Sequence, residues 1–104
     1  MTTFDERENA FENLYAHDEN MKFKAEARRN KLLGLWAAGL LGKSGDAADS
    51  YAREVIVADF EEAGHEDVVR KVAADLGDLA DADTIRAKLA ECMGIAKSEI
   101  LSGE

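Results

Sequence analysis

Apolar residues recur at three- and four-residue steps along most of this chain, and no proline interrupts them. That period lines one face of an α-helix, and the missing residue is the one that most reliably breaks a helix. The strongest run spans Glu19 to Leu41. Ala25, Arg28/Arg29, Leu32/Leu33, Trp36 and Leu40 keep the period, with Lys22, Lys24, Glu26 and Lys31 on the wet side. Gly42 fits the C′ position, and Lys43 suits the carboxyl end of the helix dipole. Asp46 fits as the N-cap of a second helix striped by Ala47, Ala48, Tyr51, Ala52, Val55, Ile56 and Phe60, ended by Glu62-Ala63-Gly64. A third runs from Glu66 to Leu76, with Val68, Val69, Val72 and Leu76 on one face and Gly77 as its stop. A fourth starts near Asp81 or Asp83 and reaches Leu101, striped by Ile85, Leu89, Met93, Ala96 and Ile100 and interrupted by Gly94. The β-branched residues 55–57 read as helix, since the 3.6 period continues on both sides and no second strand exists to pair with them. The fold class this predicts is all-α: a four-helix bundle-like domain over residues 19–104.

The first eighteen residues differ. Phe4, Phe11, Leu14 and Tyr15 could share one helical face, but the stripe is too sparse to hold an isolated helix in water. Residues 1–18 therefore read as a mobile arm, disordered or partly helical when free. Twenty helical residues would extend about 30 Å. Charge divides along the same line. Residues 1–20 hold six acids (Asp5, Glu6, Glu8, Glu12, Asp18, Glu19) and one base, Arg7. Residues 21–34 reverse this with five bases, and the remainder is acidic. The net charge of −9 over 104 residues argues against a nucleic-acid partner, whose affinity comes from cations on phosphates. No apolar stretch approaches the ~20 residues that span a bilayer, so direct membrane insertion is not expected. The amino terminus lacks a secretory signal pattern, and a cytoplasmic protein is expected.

Little in the sequence carries chemistry. Gly39-Leu40-Leu41-Gly42-Lys43-Ser44 resembles the end of a phosphate-binding loop, but Ala37 stands where the first glycine belongs and a helix precedes it. A helix C-cap is the plainer reading. Asp83 and Arg86 place a carboxylate and a guanidinium on one side of a helix start, where phosphate can bind; an N-cap with a surface ion pair is the plainer reading. His17 and His65 lack partners at metal-ligand spacing, and Cys92 reads as a small buried hydrophobe. Lys24, Arg28 and Lys31 align at four and three on the first helix, where they either balance an acidic surface or touch an acidic partner. No nucleophile or acid–base constellation assembles. A binding protein is expected rather than an enzyme, with no metal and no resident cofactor.

The run Phe23-Lys24-Ala25-Glu26-Ala27-Arg28-Arg29-Asn30-Lys31-Leu32-Leu33-Gly34-Leu35-Trp36-Ala37-Ala38-Gly39-Leu40-Leu41-Gly42-Lys43 closely resembles the signature segment of the zeta subunit of alphaproteobacterial F-type ATP synthases. The likeness continues through Asp59-Phe60-Glu61-Glu62, Glu66-Asp67-Val68, Ala73-Ala74-Asp75-Leu76 and Thr84-Ile85-Arg86-Ala87-Lys88. The resemblance implies an inhibitor of ATP hydrolysis. Its amino-terminal arm would insert at a catalytic interface of the α₃β₃ head near the γ stalk and block rotation. The implied contacts are Thr3, Phe4, Asp5, Arg7, Phe11, Leu14, Tyr15 and His17, with Lys24, Arg28 and Lys31 secondary. It would place the protein at the inner membrane only through the synthase. The alternative it leaves open is a nucleotide-sensing module that binds ATP or ADP weakly, with Asp83 and Arg86 as candidates; a similar Asp-x-x-Arg-Ala run occurs in nucleotide-binding epsilon subunits of some bacterial ATP synthases.

Overall fold

The computed structural model describes residues 19–60 and 64–102. They form four helices, α1 (Glu19–Leu40), α2 (Gly45–Ala58), α3 (Glu66–Leu76) and α4 (Ala82–Leu101), with a 3₁₀ turn at Gly77–Leu79. No strand occurs among the described residues. The expected all-α, four-helix domain is the one observed. Helix α1 is its centre and packs against both α2 and α4, while α3 bridges α2 and α4. The pairing with α4 is antiparallel. The Lys88 ammonium lies 5.8 Å from the Trp36 ring centre, and Arg28 meets Glu99 near the other end.

The helix ends follow from local chemistry. Gly42 takes a φ of 79°, its N–H bonds the Gly39 carbonyl at 3.2 Å, and the Lys43 N–H bonds the Ala38 carbonyl at 2.8 Å. These two bonds close a Schellman motif, which needs a residue at ease in the left-handed region. At α4 the carboxylate of Asp81 accepts the Thr84 N–H at 2.7 Å, so Asp81 rather than Asp83 is the N-cap. For α2 the expectation of Asp46 as cap is corrected. Ser44 holds that position without a side-chain bond, and Asp46 lies in the first turn.

The core joins Leu33, Ala37 and Ala38 of α1 with Tyr51 and Val55 of α2. It continues through Val68, Val69, Val72 and Leu76 of α3 to Ile85, Leu89 and Cys92 of α4. The expected α3 face is observed in full. Two stripes are corrected. Helix α2 stops at Ala58 instead of continuing to Glu62, leaving Phe60 74 % exposed. In α4 the buried set is Ile85, Leu89, Cys92 and Ala96, with Met93 and Ile100 only half-buried. The spacing of four, three and four keeps one face on α1, whereas Met93 is one position round the helix.

Helix α1 contains two glycines with opposite roles. A Cβ on Gly34 would stand 2.6 Å from the Ala52 Cα, so α1 and α2 approach backbone to backbone there. At Gly39 nothing among the described residues lies within 4 Å. Gly34→Ala is expected to destabilise by about 1–3 kcal/mol through overpacking against a backbone that cannot step aside. Gly39→Ala is expected to stabilise by about 0.5–1 kcal/mol through reduced chain entropy. Urea denaturation of both variants checks this, and equal shifts would contradict the close approach.

Candidate functional site

The implied arm contacts Thr3, Phe4, Asp5, Arg7, Phe11, Leu14, Tyr15 and His17 lie outside the described residues. What the structure describes is the four-helix body that follows them in sequence.

Lys24 and Lys31 are exposed on α1, whereas Arg28 is half-buried and lies 3.9 Å from Glu99. The three do not form one patch. Lys31 opens onto a shallow cavity with Asp49, Arg53 and Ile56 on the α2 side, while Arg28 leans towards α4.

Asp83 and Arg86 come together as their i, i+3 spacing on a helix requires. Arg86 Nη1 donates to Asp83 Oδ1 at 3.0 Å. A stronger partner was hidden by sequence distance. Glu66, in the first turn of α3, takes Arg86 Nη2 at 2.8 Å and Nε at 3.2 Å in a two-pronged bond. This hydrogen bonding holds the Glu66 carboxyl below the usual carboxylate range and raises the Arg86 guanidinium. Glu26, Arg29, His65, Arg86, Leu89, Ala90 and Met93 line a neighbouring cavity of about 380 Å³.

Two polar clusters fasten the helices. In the first, Arg29 Nε donates to Asn30 Oδ1 at 3.1 Å. Arg29 Nη2 and Asn30 Nδ2 both donate to Asp59 Oδ2, at 3.2 and 3.0 Å. The Arg29 side chain is only 7 % exposed. In the second, the Tyr51 hydroxyl donates to Asp75 Oδ2 at 2.9 Å, and Lys71 Nζ bonds the same oxygen at 3.0 Å and Glu54 Oε1 at 3.2 Å.

The second cluster sets a pH dependence. Burial opposes ionisation of Asp75, but the bonds from Lys71 and Tyr51 overcome it and hold the carboxyl below its usual value. The folded state then holds its proton less readily than the unfolded chain. The stability this gives at neutral pH is lost as pH falls below about 4. Burial, followed by the bond to Asp75 and the surrounding carboxylates, raises the Tyr51 phenol well above its ordinary value. Its contribution is full below about pH 10 and disappears as pH rises beyond that. Melting temperatures at pH 3, 7 and 11 are expected to peak at pH 7, and an unchanged value from 7 to 11 would contradict the alkaline half.

Burial pushes the Cys92 thiol up, which suits its place in the core and not a nucleophile. Among the described residues no group of three metal-ligating side chains assembles, and no helix is long and apolar enough to cross a membrane.

No curated protein matches the chain. A chain solved in solution by NMR is similar at 57 % identity and a TM-score of 0.75, covering 81 % of this chain and 99 % of its own length. The model of the family described as ATPase inhibitor subunit zeta matches residues 1–99, from the amino terminus into α4. The chain belongs to the ATPase inhibitor subunit zeta family.

Proposed function

We propose that this chain inhibits ATP hydrolysis by the F-type ATP synthase by inserting residues 1–18 at a catalytic α/β interface near the γ stalk. The observation that carries this reading is the family match over residues 1–99, which includes the arm as well as the bundle. The body supports it, because the four helices close an apolar core among themselves. A bundle of this bulk cannot follow the arm between subunits and stops at the rim. Exposed Lys24 and Lys31, just beyond the root of the arm, are then the secondary contacts. Half-buried Arg28 joins them only by giving up its long pair with Glu99.

The energetics are adequate. Burying Phe4, Phe11, Leu14 and Tyr15 yields roughly 6–12 kcal/mol at about 1.5–3 for each large side chain. Ordering the arm takes back about 2–5 kcal/mol. The remainder supports tight but reversible docking. The role assigned is regulatory and leaves catalysis to the synthase. Adding the intact chain to purified synthase head is expected to lower the rate of ATP hydrolysis in a saturable way. An unchanged rate would reject the reading.

The second reading, weak ATP or ADP binding, has one observation in its favour. Arg29, His65 and Arg86 share the 380 Å³ cavity with apolar Leu89, Ala90 and Met93, which suits an anion carrying a flat apolar group. Against it, Arg86 already serves Glu66 and Asp83, and Asp83 is not part of the cavity wall. Saturable NMR shifts confined to this cavity at sub-millimolar ATP would favour it.

A further inference from the structure

Several cations of the bundle are already engaged. Arg28, Arg29, Lys71, Arg86 and Lys88 each pair with a carboxylate. Lys24, Lys31 and Arg53 are exposed and form no ion pair among the described residues.

These three share one side of the molecule. Gly34 approaches Ala52 while Asn30 bonds Asp59, so α1 and α2 run antiparallel. Lys31 and Arg53 open onto the same shallow cavity of about 310 Å³, with Asp49, Ala52 and Ile56. Exposed Lys24 and Ala27 continue the Lys31 face of α1 at steps of three and four. Arg53, Val57 and Phe60 follow one another on α2 and its end at steps of four and three. Val57 and Phe60 are the two most exposed large apolar side chains among the described residues. The Asn30–Asp59 bond sets Phe60 beside the first half of α1. The result is a strip that combines three cations with apolar Ala27, Ile56 and Phe60. Carboxylates are scarce on it. Asp49 stands on the cavity wall, Asp59 turns to Arg29 and Asn30, and Glu26 lines the separate cavity on the α4 side.

We propose that this strip is a second docking surface, which seats an acidic, apolar-centred patch of the synthase head. The charge selects an acidic occupant. Three cations stand against one carboxylate here, in a chain whose net charge is −9. An acidic partner is repelled by most of this molecule and attracted by the strip, so it is steered into one orientation. The exposed apolar side chains select a protein surface that can cover them, since a contact needs an apolar middle within a charged rim. The choice of the head as that protein rests on the inhibitory reading above. Lys24 lies in the second turn of α1, close in sequence to residues 1–18. A partner held by those residues is therefore within reach of the strip. Docking there adds affinity and fixes orientation, and it leaves the block of rotation to the arm.

The test uses the full chain and purified synthase head, with binding and ATP hydrolysis measured side by side. Arg53→Glu reverses a charge on the strip, and Phe60→Ala removes an exposed ring without opening the core. Lys43→Glu, exposed beyond the far end of α1, makes the same change in net charge off the strip. The expected result is roughly three- to tenfold weaker binding by Arg53→Glu and by Phe60→Ala, the size typical of rim contacts. Full inhibition is still reached at saturation, melting temperatures stay the same, and Lys43→Glu binds like the parent. The loss in Arg53→Glu should shrink as salt rises.

Parent-like binding by both strip variants would overturn the docking surface and leave the inhibitory reading standing. Binding that the strip variants weaken, in a parent that never inhibits, would keep the surface and overturn the inhibitory reading. A parent that does not bind the head would overturn both. Equal weakening by Lys43→Glu would reveal only the field of the whole molecule and overturn the strip. Two further measurements address other occupants, binding to vesicles containing phosphatidylglycerol and sedimentation of the chain alone. Vesicle binding or self-association that Arg53→Glu abolishes, with the head still bound as by the parent, would assign the strip to a membrane or a second copy and overturn the proposal.

Discussion

Replacing Asp59 with alanine is expected to cost the bundle about 3–5 kcal/mol, the loss typical of removing one partner from a buried ion pair. Asp59 stands just beyond α2, where its carboxylate draws in Arg29 and Asn30 of α1. Its Oδ1 is buried and accepts no hydrogen bond from the described residues, and its pairing with them runs through Oδ2. Removing the carboxylate takes from the Arg29 side chain, 7 % exposed, the counter-charge it pairs with, and Asn30 loses an acceptor. Domains of this size hold only about 5–15 kcal/mol in total. The melting temperature should fall on the order of 15 °C or more. Adding Arg29→Met to Asp59→Ala should recover much of the loss, because the stranded charge goes with it. A single-variant loss below about 1 kcal/mol, measured by chemical denaturation, would show that the cluster does not fasten α1 to α2.

That cluster also marks where sequence reading stops. The stripe from Ala25 to Leu40 set the length of α1 to within a residue, and Val68, Val69, Val72 and Leu76 set the face of α3. Both depend on local period, which the order of residues carries directly. Arg29 falls within the apolar stripe by spacing, yet nothing local names its partner, since Asp59 is thirty positions away. The pairing of Arg86 with Asp83 was legible at i, i+3, whereas that with Glu66, twenty positions off, was not. Phe60 and Met93 were misplaced for a related reason. An apolar side chain at a helical step looks buried until a helix end or a neighbouring helix decides otherwise. Gly34 falls inside the stretch that reads as the first helix, and only the approach of Ala52 shows why this mid-helix position has no side chain.

Removing residues 1–18 is expected to abolish inhibition while changing the melting temperature of the body little. The basis is a division of labour. Ala25, Leu33, Val55, Val68 and Ile85 are fully buried within the four helices, and both polar clusters also lie there. In the proposed reading the apolar anchors are Phe4, Phe11, Leu14 and Tyr15, all within residues 1–18. Their burial supplies roughly 6–12 kcal/mol before ordering costs. Losing even half of that would weaken binding at least about a hundredfold, since each 1.4 kcal/mol is a factor of ten.

The most direct measurement is ATP hydrolysis by purified synthase head, titrated with the intact chain and with a chain beginning at Glu19. The account predicts saturable inhibition by the first and none by the second, with near-equal melting temperatures for the two. Full inhibition by the shortened chain would place the inhibitory contact on the bundle and contradict the account.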